Sequence, residues 1–235
     1  MNFIEAEIVV VRHGETESNR THIIQGHLDT PLSDVGVKQA ECAAKHLADT
    51  KFDHALSSDL CRALKTGQVI LDSNPSLDSN TIETWTVLRE RSFGEFEGKQ
   101  AKIMMDKFKE LSGDALMAWG PQGGETGRVF RDRTRQFLKD LGQRVVKLEM
   151  EKPKVLVTSH GGFIKELNMV LVNEHGCSMP CEHGEYGRIS PNTGISKFQM
   201  QFDKEGNITS VQCSLLYYRE HLEGLDVHEP LHYGV

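Results

Sequence analysis

The chain of 235 residues suits one large domain, and its 38% hydrophobic and 26% charged residues are typical of a globular protein. Its 27 basic and 34 acidic residues give a net charge of −7, which argues against a nucleic-acid partner but leaves a small anionic ligand open. No apolar run approaches the roughly 18 residues of a membrane-spanning helix, and the start resembles no targeting peptide, so we expect a soluble, cytoplasmic protein.

The first half of the chain shows alternating strand and helix patterns. Residues 8–11 are all apolar, as expected of a strand that is covered on both faces. Ser33 is expected to cap a helix and Asp59 to open another, because each precedes a run with apolar residues at helical spacing. The predicted strands are 8–11 and 52–57, and the two predicted helices extend to Leu47 and Leu71.

The second half continues this alternation after a less regular middle segment. Residues 89–124 are interrupted by glycines and predict an inserted lobe over the sheet. The elements predicted beyond it are a long helix at 125–152, a buried strand at 155–157, a helix at 163–172, and two alternating strands at 198–202 and 211–217 joined by a hairpin turn at 205–207.

This order of elements predicts an α/β fold. We expect a three-layer α/β/α sandwich around a mainly parallel sheet, formed by a single domain over residues 1–235 with 89–124 as the inserted lobe. Ligand sites in such sheets form beyond the carboxyl ends of the strands. Polar residues at strand ends are therefore the first candidates for a functional site.

Polar residues follow three of the predicted strands. Arg12 and His13 follow the first, Arg62 comes soon after the second, and His160 follows the strand at 155–157. We expect these four side chains to converge on one rim of the sheet. Arginine binds phosphate oxygens bidentately, a neutral imidazole can attack phosphorus, and a second, protonated histidine can stabilise the transition state. Gly161 would let the backbone approach the phosphate, and the scheme needs no metal or other cofactor.

Such a reaction also requires an acid that protonates the leaving oxygen, either a carboxylic acid or a third histidine. The residues alone leave Glu90, Glu95 and Glu97 open for this role. A structural alternative for Glu90 is an ion pair with Arg89 or Arg91.

The five cysteines are thinly spread, which predicts reduced thiols rather than a disulfide framework. Cys177 and Cys181, with His175 and His183 beside them, have the residue types of a zinc site. Their loose spacing in a loop favours coincidence, so no metal site is predicted.

The ordered motifs of the chain resemble the histidine phosphatase superfamily, which has the phosphoglycerate mutase-like fold. The first is Arg12-His13-Gly14-Glu15-Thr16, with Asn19 six residues beyond His13. The others, in order, are Pro31-Leu32-Ser33, Ser57-Ser58-Asp59-Leu60 with Arg62, Leu88 with Glu90 and Gly94, Gly123-Gly124-Glu125-Thr126, and Ser159-His160-Gly161. The carboxyl-terminal segments 177–180, 191–196 and 221–225 are similar to those of the fructose-2,6-bisphosphatases of animal cells.

The resemblance implies a role for each matching residue. His13 would attack phosphorus and become phosphohistidine, and Glu90 would protonate the leaving hydroxyl and later activate water. The residues implied to bind the transferring phosphoryl group are Arg12, Arg62 and His160, with Asn19 and the backbone of Gly161 near it, and those implied to line the substrate side are Gln25, Gly26, Asn192 and Thr193.

The implied function is a metal-independent phosphatase for a small anionic phosphorylated sugar or glycerate, most simply fructose 2,6-bisphosphate, whose hydrolysis would modulate glycolytic flux. Lys99, Lys102 and Arg188 are candidates for a second phosphate, and protein partners cannot be assigned. The alternatives are a cofactor-dependent phosphoglycerate mutase, a broad phosphatase that accepts 2,3-bisphosphoglycerate, or a non-catalytic scaffold. Hydrolysis is favoured because the middle lobe shows no clear pair of basic residues of the kind that mutases use.

Overall fold

Strand β1 (Ile4–Arg12) lies inside a mixed sheet in the computed structural model, which describes residues 3–181 and 184–225. The other strands are β2 (His54–Ser57), β3 (Glu83–Thr84), β4 (Lys154–Ser159), β5 (Ile195–Phe202) and β6 (Ile208–Tyr218). Over the described residues they form one six-stranded sheet in the order β3-β2-β4-β1-β5-β6. The first four are parallel and the last two antiparallel, so the predicted mainly parallel sheet is confirmed.

Helices cover both faces of the sheet. They are α1 (Glu17–Arg20), α2 (Asp34–Leu47), α3 (Cys61–Asp72), α4 (Lys102–Lys109), α5 (Gly113–Ala118), α6 (Gly127–Lys147) and α7 (Gly161–His175). Alternate residues of β1 divide between two apolar cores: Ile8 and Val10 pack with α6 and α7, whereas Val9 and Val11 pack with α2 and α3. This division confirms the three-layer α/β/α sandwich.

Of the four predicted helix starts, one is correct and three are displaced, since α7 begins at Gly161 rather than at residue 163. The Ser33 hydroxyl accepts a hydrogen bond from the Gly36 N–H and caps α2 as predicted. Asp59 does not open α3: the helix begins at Cys61, and the Asp59 carboxylate accepts from the Arg89 guanidinium instead. The long helix runs over 127–147 rather than 125–152, capped by the Thr126 hydroxyl.

The middle segment is more regular than its sequence indicates. Within 89–124 the chain forms a 3-10 turn and the helices α4 and α5. A small apolar cluster of its own includes Met104, Phe108 and Trp119. The sequence analysis did not predict these short helices, because the glycines between them are typical of turns.

None of the helices in the described residues is both long and apolar enough to cross a membrane. The five cysteines are free, and burial raises the pKa of Cys177 to about 11 and of Cys213 to about 12. His183, the last member of the zinc-type group, lies outside the described residues.

Candidate active site

The two histidine motifs meet because β1 and β4 are adjacent parallel strands. Arg12 is the register partner of Ser159, and the His13 N–H donates to the Ser159 carbonyl over 2.9 Å. The residues that follow these strands therefore leave the sheet side by side. The ring centroids of His13 and His160 are 5.2 Å apart, as the strand-end argument predicts.

One hydrogen bond sets the tautomer of His13. Its Nδ1 lies 2.7 Å from the carbonyl oxygen of Gly14. A carbonyl oxygen only accepts, so Nδ1 carries the proton and Nε2 keeps its lone pair. Burial, the charge of Arg62 and the charge of Arg12 together hold the pKa of His13 well below its usual range. This shift favours the neutral imidazole, in which Nε2 carries the lone pair.

Backbone carbonyls orient the two arginines. Arg12 Nη1 donates to the Ser190 carbonyl over 2.6 Å, and Arg62 donates to the carbonyls of Gly26 and Leu28 over 2.9 and 2.8 Å. Burial lowers the pKa of Arg62, and its Nε has no hydrogen-bond partner among the described groups. Both guanidinium groups are buried, and each donates to main-chain carbonyl oxygens.

His160 is fully buried beneath His13. Its Nε2 lies 2.8 Å from the Ser58 hydroxyl, while its Nδ1 has no partner in the described part of the chain. Burial and the nearby Arg62 hold its pKa well below the usual range. This shift favours the neutral form of His160 in the phosphate-free protein, and the protonated form predicted for the transition state stays a prediction. The Ser58 hydroxyl can donate to Nε2, and in that tautomer the ring proton lies on Nδ1.

Glu90 faces the same site from the other side of the cavity. Its Oε2 accepts the Gly162 N–H at the start of α7 over 2.8 Å, and its Oε1 accepts the Arg91 N–H over 2.9 Å. A Cβ on Gly162 would lie 2.3 Å from Oε1, so only glycine permits this approach. Arg133 supports the turn by donating to the carbonyl of Glu90, and it is paired with Glu125.

The other two carboxylates have different surroundings. Glu97 accepts the N–H groups of His27 and Phe93, which makes it a brace between two loops. Glu95 is exposed and lies near the N–H of Gln122. Of the three, Glu90 alone is among the residues that line the cavity within the described chain. The alternative ion pair of Glu90 with Arg89 or Arg91, all of them described residues, does not form. Arg89 is paired with Asp59, and the Arg91 guanidinium donates to backbone carbonyls.

The groups described above lie around a cavity of about 320 Å³, whose lining does not include the fully buried His160. The predicted site residues that line it are Arg12, His13, Asn19, Gln25, Gly26, Arg62, Glu90 and Gly161. Asn192 lies outside the lining and donates to Asn19 and to the carbonyl of His13. The buried Thr193 also lies outside the lining, and its N–H donates to the same carbonyl.

The cavity is also lined by three basic residues that the sequence analysis did not propose as ligand-binding groups, namely Arg91, Arg131 and Lys165. Lys165, on α7, lines the wall, and burial lowers the pKa of its amine. None of the three basic residues proposed from the sequence for a second phosphate lines the cavity: the Lys99 amine lies over the Phe96 ring, Lys102 is exposed, and Arg188 lines a separate groove.

Three residues to which the sequence analysis gave no role form hydrogen bonds that position other residues of the site. The Thr66 hydroxyl accepts the N–H of Gly14 and donates to the carbonyl of Arg62, so it joins the segment that follows β1 to the start of α3. Ser58 orients His160, and Arg133 orients Glu90. A polar residue on the inner side of an amphipathic helix is the one signal that marks Thr66 and Arg133.

Comparison with known proteins places this geometry in context. The model of the histidine phosphatase superfamily (branch 1) matches residues 8–210. Fructose-2,6-bisphosphatase TIGAR B of Danio rerio is 32% identical over 247 residues, which cover 92% of this chain and 96% of that protein. Phosphoglycerate mutase-like protein 4 of Arabidopsis thaliana is 37% identical over 167 residues, 69% of either chain. The structure of a phosphoglycerate mutase from Bacillus anthracis superposes with a TM-score of 0.70 at 24% identity over 89% of this chain and 92% of that one, which shows a common fold.

Proposed function

This chain belongs to the histidine phosphatase superfamily and is a phosphatase, and we propose that it hydrolyses fructose 2,6-bisphosphate to fructose 6-phosphate and phosphate. The observation that carries the chemistry is the state of His13. Its imidazole is neutral and lies near the buried Arg12 and Arg62, and the hydrogen bond from Nδ1 to the Gly14 carbonyl leaves the lone pair on Nε2. The choice of substrate is supported by relatives named for that activity over almost the whole chain.

In the first step, Nε2 of His13 attacks phosphorus and the bond to the leaving oxygen breaks. Arg12 and Arg62 bind the phosphoryl oxygens, and the Nδ1–H of His160 donates to one of them as negative charge spreads over these oxygens. The protonated carboxyl group of Glu90 gives its proton to the departing hydroxyl oxygen. The product of this step is a phosphohistidine on His13.

In the second step, water attacks the phosphohistidine opposite the His13 nitrogen. Glu90, now a carboxylate, takes a proton from that water, and the N–P bond breaks to release phosphate and neutral imidazole. The N–H groups of Gly162 and Arg91 hold the Glu90 side chain in place. Arginine and histidine supply the charge stabilisation, so the proposed reaction is independent of a metal ion or other cofactor.

Lys165 supports the choice of a bisphosphate. The transferring phosphoryl group occupies the floor, and the second phosphate of the sugar would extend towards the wall that Lys165 lines. Burial disfavours the charged form of this amine, and an anionic phosphate beside it would offset that cost. Asn19, Gln25 and Gly26 line the substrate side, and Asn192 and Thr193 act behind it by fixing the backbone of His13.

The deciding experiment measures phosphate release from fructose 2,6-bisphosphate in the presence of a chelator, with wild type, His13→Ala and Glu90→Gln. We expect chelator-resistant release that disappears in His13→Ala and falls by roughly a hundredfold or more in Glu90→Gln. Acid-labile 32P-phosphate on wild type but not on His13→Ala would demonstrate the intermediate. Chelator-sensitive release, or full activity of His13→Ala, contradicts the mechanism. Preferential conversion of 3-phosphoglycerate to its 2-isomer would instead identify a mutase.

A further inference from the structure

The wall and the floor of the cavity differ sharply in chemistry. The floor carries the arginines, the nucleophile and Glu90, whereas the wall above it is formed largely by Phe93, Met104, Phe108, Leu116, Met117 and Met169. Four of these six residues belong to α4 and α5, the helices of the middle segment. A cavity lined by both apolar side chains and the arginines suits a ligand with two unlike ends.

The polar groups of the wall are largely engaged within the protein. The Arg91 guanidinium donates to the carbonyls of Trp119 and Glu125. It also lies 5.6 Å from the ring centroid of Phe93 and 6.0 Å from that of Phe108, which fixes it in an aromatic environment. Arg131 is paired with Glu166 over 2.5 Å. Apart from Lys165, the upper wall therefore offers few groups that can replace the water around sugar hydroxyls.

We propose that the cavity also accepts phosphate monoesters whose alcohol carries an apolar, ring-sized group, a substrate class beyond the sugar bisphosphate. The proposal rests on the phosphohistidine chemistry of the proposed function but not on its sugar substrate. The phosphate of such an ester binds the arginines on the floor, and its ring lies against the Phe108 and Met117 side chains.

Physical chemistry favours a ring over a polyol at this wall. Hydroxyl groups placed against apolar side chains lose water without gaining partners, whereas a ring gains from leaving water. Edge-to-face contact with Phe93 or Phe108 adds to this gain, and the methionines adapt to rings of different shape. The reaction is the same as that proposed above, with the apolar alcohol as the leaving group.

The test compares two esters with leaving alcohols of similar basicity, 2-phenylethyl phosphate and ethyl phosphate, on the full chain. We expect kcat/KM of the phenylethyl ester to exceed that of the ethyl ester by roughly tenfold or more, because only the first reaches the apolar wall. In Phe108→Ala and in Met117→Ala this ratio should fall towards one. Ile103→Ala is the matched control on α4, since that side chain is exposed and does not line the cavity.

Each outcome bears on one proposal. A ratio near one in the wild type, or a ratio that both wall variants leave unchanged, overturns the apolar subsite even if fructose 2,6-bisphosphate is hydrolysed. If Phe108→Ala fails to fold, the half-exposed Met117 still gives the answer. A high ratio without hydrolysis of fructose 2,6-bisphosphate supports the subsite and removes the proposed sugar substrate.

Discussion

The side chain of Thr193 contacts His221, with 3.1 Å between Oγ1 and Nε2, although the two residues belong to different segments. Thr193 has a φ of 53°, a conformation that a β-branched residue rarely adopts. Its N–H donates to the carbonyl of His13. The His221 contact therefore holds a strained turn against the backbone of the proposed nucleophile, and strain of this kind persists only where the surroundings enforce it.

The first prediction concerns this contact. His221→Phe keeps a ring beside Tyr218 and His46 but removes the hydrogen bond to Thr193. We expect kcat to fall by roughly tenfold with little change in KM, because the nucleophile is displaced while the phosphate-binding arginines remain. His221→Gln, which retains a hydrogen-bonding group, should recover part of the loss.

A double-mutant cycle with Thr193→Val separates this contact from a general loss of stability. If the hydrogen bond is the cause, the double variant should lose no more activity than either single variant. Strictly additive losses would contradict the assignment.

The second prediction concerns Gly162. In Gly162→Ala the new methyl group would clash with the carboxylate of Glu90, so that carboxylate must move. We expect kcat to fall by roughly a hundredfold, as in Glu90→Gln, because proton transfer needs correct placement. Asn173→Ala, an exposed change on the same helix, is the control for helix stability. The measurements are the steady-state rates and melting temperatures of Gly162→Ala, Glu90→Gln and Asn173→Ala. A Gly162→Ala variant with wild-type activity would contradict the prediction, because it would show that Glu90 tolerates displacement.

The sequence predicts the floor of the site well for a geometric reason. Arg12, His13 and His160 follow apolar strand runs, and adjacent parallel strands deliver such residues to one rim. The choice of Glu90 among three nearby carboxylates required the family resemblance. In the structure Glu90 lines the cavity and Gly162 leaves room for its carboxylate, while its role as the acid stays a prediction.

The upper wall and the supporting contacts were beyond sequence reasoning. The contact between Thr193 and His221 spans 28 positions, and no local pattern encodes it. The helices α4 and α5 are short and lie between glycines, so turn signals obscured their apolar faces. Lys165 was missed because a lysine on a helix is ordinarily a surface residue.

The third prediction concerns pH. His13 and His160 have pKa values held well below their ordinary value of 6.5, chiefly by burial. Below pH 6.5 the unfolded chain binds protons at these residues and the folded chain does not, so stability falls as the pH drops. The hydrogen bond from Arg89 lowers the pKa of Asp59, and the stability that this provides is lost only at more acidic pH.

Melting temperatures in phosphate-free buffer between pH 7.5 and 5 should therefore fall, and His160→Asn should show a shallower fall than wild type. NMR titration should find the His13 ring neutral at pH 6.5. A His13 ring that titrates near 6.5 would contradict the electrostatic description of the site.

The final prediction tests the second phosphate. Lys165→Met removes the charge and keeps an unbranched chain of similar length in the wall of the cavity. Loss of a charge-assisted hydrogen bond costs about 2 kcal/mol, which corresponds to a rise of roughly thirtyfold in KM for fructose 2,6-bisphosphate. The fall in kcat should be much smaller, because this phosphate binds alike in the ground state and the transition state. The exposed Lys139→Met is the matched control. An equal loss of kcat/KM for ethyl phosphate would show that Lys165 serves the transferring phosphoryl group instead.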